Sequence, residues 1–515
     1  NHKIVIEYPS PNTNKPLHFG HVRNILLGQA LVKMHQKIGN QVFETNLLND
    51  RGIHICKSML AYQKFGKGQT PQKTNRKSDH FVGDYYIKYA KEEAKLKKGL
   101  EAKLKLLEEE KKKPKKNQKP ETITQLQTEI DNTPYGQLQQ ELQQMLLDWE
   151  LKVPQTRSLW RKMNDWAEQG FQDTFNLFQV HHQKTYYESQ IYNQGKEIVY
   201  EGVKSGIFEK LDDGAIIVRF QKKGLPKQKV LLRKDGTSLY ITQDLHLAFQ
   251  KYHDFPYDQS IYVVGNEQDM QLNVLYEILS NLGMKAKNIH YSYGMISLTT
   301  GKMKSREGKI VDADDVVQEL QNLAYIEIKE RYPELEEKIK KDRAFQIGMA
   351  ALRFFILKYE FSRDFVFDPE QSISFEGETG PYVLYSYARI CSIYRKALSE
   401  AVDVPYNPDT LEVNPEFSNS AINFSLMQSE DEYALISILS KYPKQLRSAA
   451  VNRKPHELIR YLFELAQQFT KFYHSCPVLL ESPEIRAYRL AICEAVRLVL
   501  KDGLNLFEIH ELTEM

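Results

Sequence analysis

Cysteine is scarce in this 515-residue sequence, and the four present (Cys56, Cys391, Cys476 and Cys493) stand far apart with no CxxC pair. That spacing excludes a disulfide framework and a zinc knuckle. No run of about 18 apolar residues occurs, so no membrane span is expected, and no signal peptide opens the chain. A soluble, cytoplasmic protein is the expectation. Bulk charge is missing too: 70 Lys and Arg against 67 Asp and Glu leave a formal net charge of +3. A polyanionic partner would have to be met by local patches. There is no initiator Met, and the chain enters a core strand within three residues of Asn1, so an N-terminal piece is expected to have been removed. The length exceeds one ordinary core and points to about three or four domains.

What is present begins with residues 4–21, IVIEYPSPNTNKPLHFGH. Ile4, Val5 and Ile6 read as a buried strand, a loop rich in Pro and Asn follows, and His18 and His21 enter a helix. Leu27, Leu31, Met34 and Ile38 recur at helical spacing and predict one apolar face, with Gly39-Asn40 as the stop. A strand that turns into a helix N-terminus leaves backbone N–H groups free for an anion. Lys15, Gly20 and two imidazoles at that turn suit a polyphosphate. Taken alone, HxGH is more simply two ordinary histidines at a helix start, and a metal pair lacks a third ligand nearby in sequence. Residues 41–48 predict a second strand, and strand, helix, strand in about 45 residues is a βαβ unit of parallel sheet.

Residues 91–110 are helical, with Lys and Glu balanced at six each, and residues 111–119 (KKKPKKNQK) break the helix at Pro114. A Gln-rich helical stretch then runs to Trp149, which makes a helical hairpin inserted into the α/β domain. Its lysines are a solvated tip or a contact to a nucleic-acid backbone. A second α/β half returns near Lys184, with strands at 215–220 and 228–232 and an Asp-Gly turn at 235–236. Next come a helix bearing Tyr240 and Asp244 one turn apart, a strand at 260–265, the segment Asn266-Glu267-Gln268, and a strand at 290–296. Residues 299–309, TTGKMKSREGK, gather Lys302, Lys304, Arg306 and Lys309 with two glycines. That loop is a solvated basic turn or the second jaw of a phosphate site. Beyond Val311 helices dominate, and residues 372–515 read as one all-α domain. There Tyr382, Tyr385, Tyr387 and Tyr394 lie beside Arg389, Arg395 and Lys396, which suits stacking on unpaired bases or, for some of them, burial in a helical core.

Ser10-Pro11-Asn12 leading into His18-Phe19-Gly20-His21, and Lys302-Met303-Lys304-Ser305-Arg306, resemble the two signatures of class I aminoacyl-tRNA synthetases. EYPSPN before the HxGH, LYITQD, NEQ after a strand and GETGPYVLYSYARICSI narrow the resemblance to the arginyl-tRNA synthetases, in order and over nearly the whole chain. The resemblance implies an α/β fold: a Rossmann-like parallel-sheet catalytic domain with a helical insertion, followed by an all-α anticodon-binding domain. Its divisions would be 1–90 (first catalytic half), 91–183 (mostly helical insertion), 184–310 (second half with a KMSKS-like loop), 311–371 (helical connection) and 372–515 (anticodon-binding domain). It implies an arginine–tRNA ligase that activates L-arginine with ATP to arginyl-adenylate. The arginyl group then passes to the terminal adenosine of tRNA-Arg, and AMP and pyrophosphate are released. ATP with Mg²⁺ would be a substrate, no tightly bound protein-ligated metal is expected, and the chain would be a monomer.

The same resemblance assigns residues. The first motif spans Pro11, Asn12, Thr13, Asn14, Lys15, Pro16, Leu17, His18, Phe19, Gly20 and His21. In-line attack on a phosphate needs positioning and positive charge more than covalent help. His18 and His21 would donate to phosphate oxygens, Gly20 would let the adenine approach, and Lys302 with Met303 would meet ATP from the basic loop. Ser305 stands where the second signature usually has its second lysine. A lysine before the HxGH compensates in many arginyl enzymes, and Lys15 stands there, with Lys304 and Arg306 as alternatives. A guanidinium wants carboxylates in a planar arrangement; Glu7 and Asp244 would supply them. Tyr240 would wall the side chain, and Ser10, Asn12 and Gln268 would hold the α-amino and carboxylate end. The paired carboxylates favour a cationic amino acid over a neutral one. The all-α C-terminal part exceeds what a simpler nucleotidyltransferase needs, and intact Lys15, His18, His21 and Lys302 count against a non-catalytic tRNA-binding paralogue. Family members usually carry an N-terminal domain that contacts the tRNA elbow. This sequence does not include it, so weakened tRNA affinity and aminoacylation are expected. The family also tends to need tRNA for activation.

Overall fold

The computed structural model describes residues 1–114, 117–298, 311–419 and 422–515. Lys115 and Lys116 of the hairpin tip, and Lys302, Met303, Lys304, Ser305 and Arg306 of the basic loop, therefore lie outside the described residues. The main strands, in chain order, are β1 (Lys3–Glu7), β2 (Gln41–Leu48), β3 (Lys184–Tyr187), β4 (Glu209–Lys210), β5 (Ile216–Arg219), β6 (Gln228–Leu232), β7 (Gln259–Gly265), β8 (Lys287–Tyr293), β9 (Ile296–Leu298) and β10 (Phe365–Phe367).

Five of them form one all-parallel sheet in the order β3-β2-β1-β7-β8. β1 is its axis: Ile4, Val5 and Ile6 are at most 1% exposed, as an unbroken apolar run requires when both faces of a parallel sheet are covered. Because β1 pairs with β2 on one side and β7 on the other, the sheet reverses its order beside β1. That leaves a crevice beyond the strand ends where ligands bind in open α/β sheets.

Helix α1 (Phe19–Lys37) carries the chain from β1 to β2. The sequence predicts one apolar face, but the helix is buried nearly all round: Val22, Ile25, Leu26, Leu27, Leu31, Val32 and Met34 are all at most 1% exposed. The reason is tertiary. The sheet covers one side, while helices Glu337–Leu357, Tyr442–Asn452 and Pro455–Ser475 cover the other. Gly28 is needed at this crossing, since a Cβ there would fall 2.4 Å from the Tyr8 ring.

The strands expected at 215–220 and 228–232 form, but they join β4 in a separate antiparallel sheet with its own apolar cluster around Phe208, Ile216, Leu231, Leu245 and Leu275. The helical run expected over 91–110 is split at Gly99, whose φ of 82° is left-handed, a conformation that suits glycine. Some of the hairpin's lysines bond within it: Lys103 reaches Glu129 and Lys111 reaches Gln127 across the arms, both at 2.8 Å, while Lys112 pairs with Glu108 along one helix. The connecting region read as helical also holds β10, which pairs in parallel with β9. In the C-terminal region, β11 (Tyr406–Asn407) and β12 (Glu412–Val413) add a short antiparallel pair to the helices. Tyr387 and Tyr394 are core residues, bonded to Arg497 and Glu494. Tyr385 faces outward with the Arg389 guanidinium 4.7 Å from its ring.

One buried cation joins these parts. Arg353, 2% exposed, donates to Gln29 Oε1 of α1 at 2.8 Å, to the Phe178 carbonyl at 2.9 Å and to the Phe507 carbonyl at 3.1 Å. Removing it strands buried acceptors on three segments. Arg353→Met is expected to cost about 3 kcal/mol or more in urea unfolding; a loss below about 0.5 kcal/mol would show that these bonds contribute nothing to stability.

Candidate active site

The loop after β1 is pinned to the end of β2. Thr13 N donates to the Asn49 carbonyl at 3.2 Å and Asn49 N to the Pro11 carbonyl at 3.0 Å. Ser10 N donates to Asn46 Oδ1 at 3.1 Å. Pro11, Thr13, Asn14, Leu17 and Phe19 are buried, so they shape the turn while their neighbours face the crevice. Where α1 begins, His18 and His21 cap it reciprocally: Gly20 N donates to His18 Nδ1 at 3.1 Å, and His18 N donates to His21 Nδ1 at 3.0 Å. Burial, with the Lys15 charge second, lowers His18 to about 4. Burial, with His18 and Lys15 adding to it, holds His21 well below its ordinary value. Both rings are therefore neutral at pH 7, and because each Nδ1 is an acceptor, each Nε2 carries the proton. Two ring N–H donors thus stand at the positive end of a helix, but the backbone N–H groups expected to be free there are bonded: Phe19 N to the Val311 carbonyl, Gly20 N to His18 Nδ1, and His21 N and Val22 N to the His18 carbonyl. Gly20 matters here, since a Cβ would come within 3.0 Å of the His18 ring.

The crevice holds a cavity of about 470 Å³, lined among others by Glu7, Ser10, Asn12, His18, Gly20, His21, Asp244, Tyr262 and Gln268. Its wall at Gly294 and Met295 is held by Arg23, which donates to both carbonyls and to those of Phe361 (2.9 Å) and Arg363 (2.8 Å). Its lining also includes the carboxylates of Glu7, Asp244 and Glu267. Glu7, 6% exposed, is ion-paired with the fully buried Lys251, whose Nζ stands 4.1 Å over the Tyr262 ring. Asp244 accepts from Gln271 Nε2 at 3.3 Å. Burial raises Asp244 to about 6, with the Glu7 charge adding to it and the Gln271 bond and Lys251 opposing.

Two expected residues sit elsewhere. Tyr240 is 68% exposed and is not part of the cavity wall, because it is the first residue of its helix and points outward. Lys15 lines an adjoining cavity of about 430 Å³ with His18, Arg76, His80 and Asp312. His18 forms a wall of both cavities. Burial lowers Lys15 from its ordinary value, and among the described residues it has no carboxylate partner, as befits a cation that awaits an anion. The chain returning from residues 299–310 is laid against the turn: Phe19 N donates to the Val311 carbonyl and Ala313 N to the Leu17 carbonyl, both at 2.9 Å. His80 clasps this return between Asp312 (3.4 Å) and Asp314 (3.0 Å). Asp79, His80 and Asp314 bring one ligand atom each within 4.8 Å of one another, but Lys77 Nζ already sits 2.6 Å from Asp314 and compensates that charge.

The sequence reading missed Lys251, Gln271 and Arg23. Lys251 had a signal: it follows Asp244 by seven residues, hence on the same face of one helix. A small guanidinium compound bound beside Asp244 is expected to lose affinity as pH falls through about 6, because the carboxylate takes up a proton. Calorimetric titration of the wild type and Asp244→Asn checks this; a limb that survives in the variant would exclude Asp244 as its source.

Residues 1–369 match the family model described as tRNA synthetases class I (R), catalytic domain, and residues 383–515 match the DALR anticodon binding domain. An arginine–tRNA ligase of Treponema denticola is 39% identical over 508 residues, 98% of this chain and 78% of the relative. One of Bacteroides fragilis is 40% identical over 512 residues, 98% of this chain and 80% of the relative. Among solved structures, arginyl-tRNA synthetase of Thermus thermophilus superposes with a TM-score of 0.79 at 23% identity, covering 100% of this chain and 83% of that one. The Plasmodium falciparum enzyme gives 0.73 at 17% identity, with 100% and 77% covered.

Proposed function

This chain belongs to the class I arginyl-tRNA synthetase family, and we propose that it is an arginine–tRNA ligase acting in the cytoplasm as a monomer. Arginine is activated by ATP to arginyl-adenylate, and the arginyl group then passes to the terminal adenosine of tRNA-Arg. The observation that carries the assignment of the pocket is its lining: the carboxylates of Glu7 and Asp244 and the two N–H imidazoles of a helix N-cap share a single cavity.

Arginine's guanidinium takes the Glu7 and Asp244 end, where planar donors meet carboxylate acceptors. Ser10, Asn12 and Gln268 hold its α-amino and carboxylate groups. That orientation points the substrate carboxylate at the histidine end, in line with the α-phosphate of ATP. His18 and His21 donate from Nε2 to phosphate oxygens as negative charge builds on them, and as neutral donors they need no reprotonation between turnovers. Lys15, on the far side of His18, meets the departing pyrophosphate, and Lys302 with Met303 approaches from the basic loop. Mg²⁺ arrives with ATP and adds charge neutralisation. The tRNA anticodon is met by the C-terminal helices. The divisions 1–90, 91–183, 184–310, 311–371 and 372–515 are retained as the working domain scheme.

Pyrophosphate exchange with each amino acid, with and without tRNA, tests the assignment: exchange is expected with arginine, and exchange with another amino acid instead would overturn it. Asp244→Ala is expected to raise KM for arginine far more than KM for ATP; equal losses would remove Asp244 from the arginine site. Lys15→Ala is expected to lower kcat by about 10²-fold at nearly unchanged KM for arginine, and an unchanged kcat would exclude its role on the phosphates.

A further inference from the structure

Beneath the side-chain end of the cavity lies a group that the reaction as described does not use. Lys251 is 0% exposed, on the same helix face as Asp244 and two turns beyond it. Among the described residues its ammonium meets one carboxylate, Glu7 through Oε2, and one ring, Tyr262. A buried ammonium is costly unless its partner needs it. The other groups that face Glu7 are Asp244 and the phenols of Tyr186, Tyr257, Tyr262 and Tyr276, all of which burial pushes up, so the phenols stay neutral. Glu188, which burial raises to about 7, also feels the Asp244 charge, and Glu267 is a further carboxylate in the cavity lining.

We propose that Lys251 is a positioning residue of the arginine pocket: by pairing with Glu7 Oε2 from below it fixes the carboxylate and aims its other oxygen at the guanidinium. This rests on the arginine reading above. Without the ammonium, nothing among the described residues pairs with Glu7 Oε2, and the carboxylate loses its aim. Glu7 also lines the cavity, so with Oε2 turned to Lys251 its other oxygen is left for the substrate. Lys251 touches no substrate and acts through Glu7.

The test is arginine-dependent pyrophosphate exchange by the full chain with tRNA. Lys251→Met is expected to raise KM for arginine about tenfold or more, with KM for ATP within about twofold of wild type. Lys251→Arg, which keeps the charge, is expected to restore KM for arginine to within about threefold. Should Lys251→Met not fold, Glu7→Gln with Lys251→Met leaves no unpaired charge. That double variant is expected to match Glu7→Gln alone, because Lys251 acts through Glu7. An unchanged KM for arginine in folded Lys251→Met, an equal rise in KM for ATP, or additive losses in the double variant would overturn the proposal. Wild-type exchange with a different amino acid would instead overturn the arginine reading, and this inference with it.

Discussion

The reciprocal cap at the start of α1 is the interaction on which the site depends. Helix N-caps are usually Ser, Thr, Asp or Asn, and a carboxylate in that place would repel a phosphate from the positive end of the helix. Here imidazoles take the task. His18 and His21 each hold a backbone N–H through Nδ1, so the bond that starts the helix also fixes each ring and turns its remaining N–H outward. Burial keeps both neutral, which suits a donor that must not carry its own counter-charge. The same turn receives the chain returning from residues 299–310 through the bonds at Phe19 and Ala313. These two bonds bring together stretches of chain that lie nearly 300 residues apart.

Along the cavity, charge is segregated by burial rather than by number of residues. The acidic end is desolvated, which lifts Asp244 toward neutral pH and sets Lys251 against Glu7. The histidine cap offers two neutral ring N–H donors, with Lys15 set apart behind His18 in the adjoining cavity. A polar substrate bearing a cation at one end and an anion partner at the other has one orientation in such a cavity, since reversal would place like charges together.

α1 also explains why the catalytic and C-terminal regions belong together. A helix buried nearly all round needs cover on both sides, and the C-terminal helices supply what the sheet does not. Around it, polar contacts secure the junction: Arg353 joins α1 to the Phe178 and Phe507 carbonyls, and Tyr291 donates to the Arg453 carbonyl at 3.0 Å. Arg23, one turn into α1, ties the cavity wall to residues 361 and 363.

Much of this was legible in the residues themselves. The β1 apolar run, the βαβ unit, the HxGH turn and the helical character of the C-terminal region rest on periodicity and turn chemistry, which act over a few residues. What the sequence by itself determined is which elements form, and which chemistry waits at the turn after β1. Only the tertiary structure decided that α1 is covered on both sides, that the 215–232 strands stand apart in an antiparallel sheet, that Tyr240 points away from the cavity and Lys15 lines the one beside it, and that Glu7 has a buried cation for company. Each of these depends on which distant segments exclude water from a side chain, and short-range patterns carry no record of that.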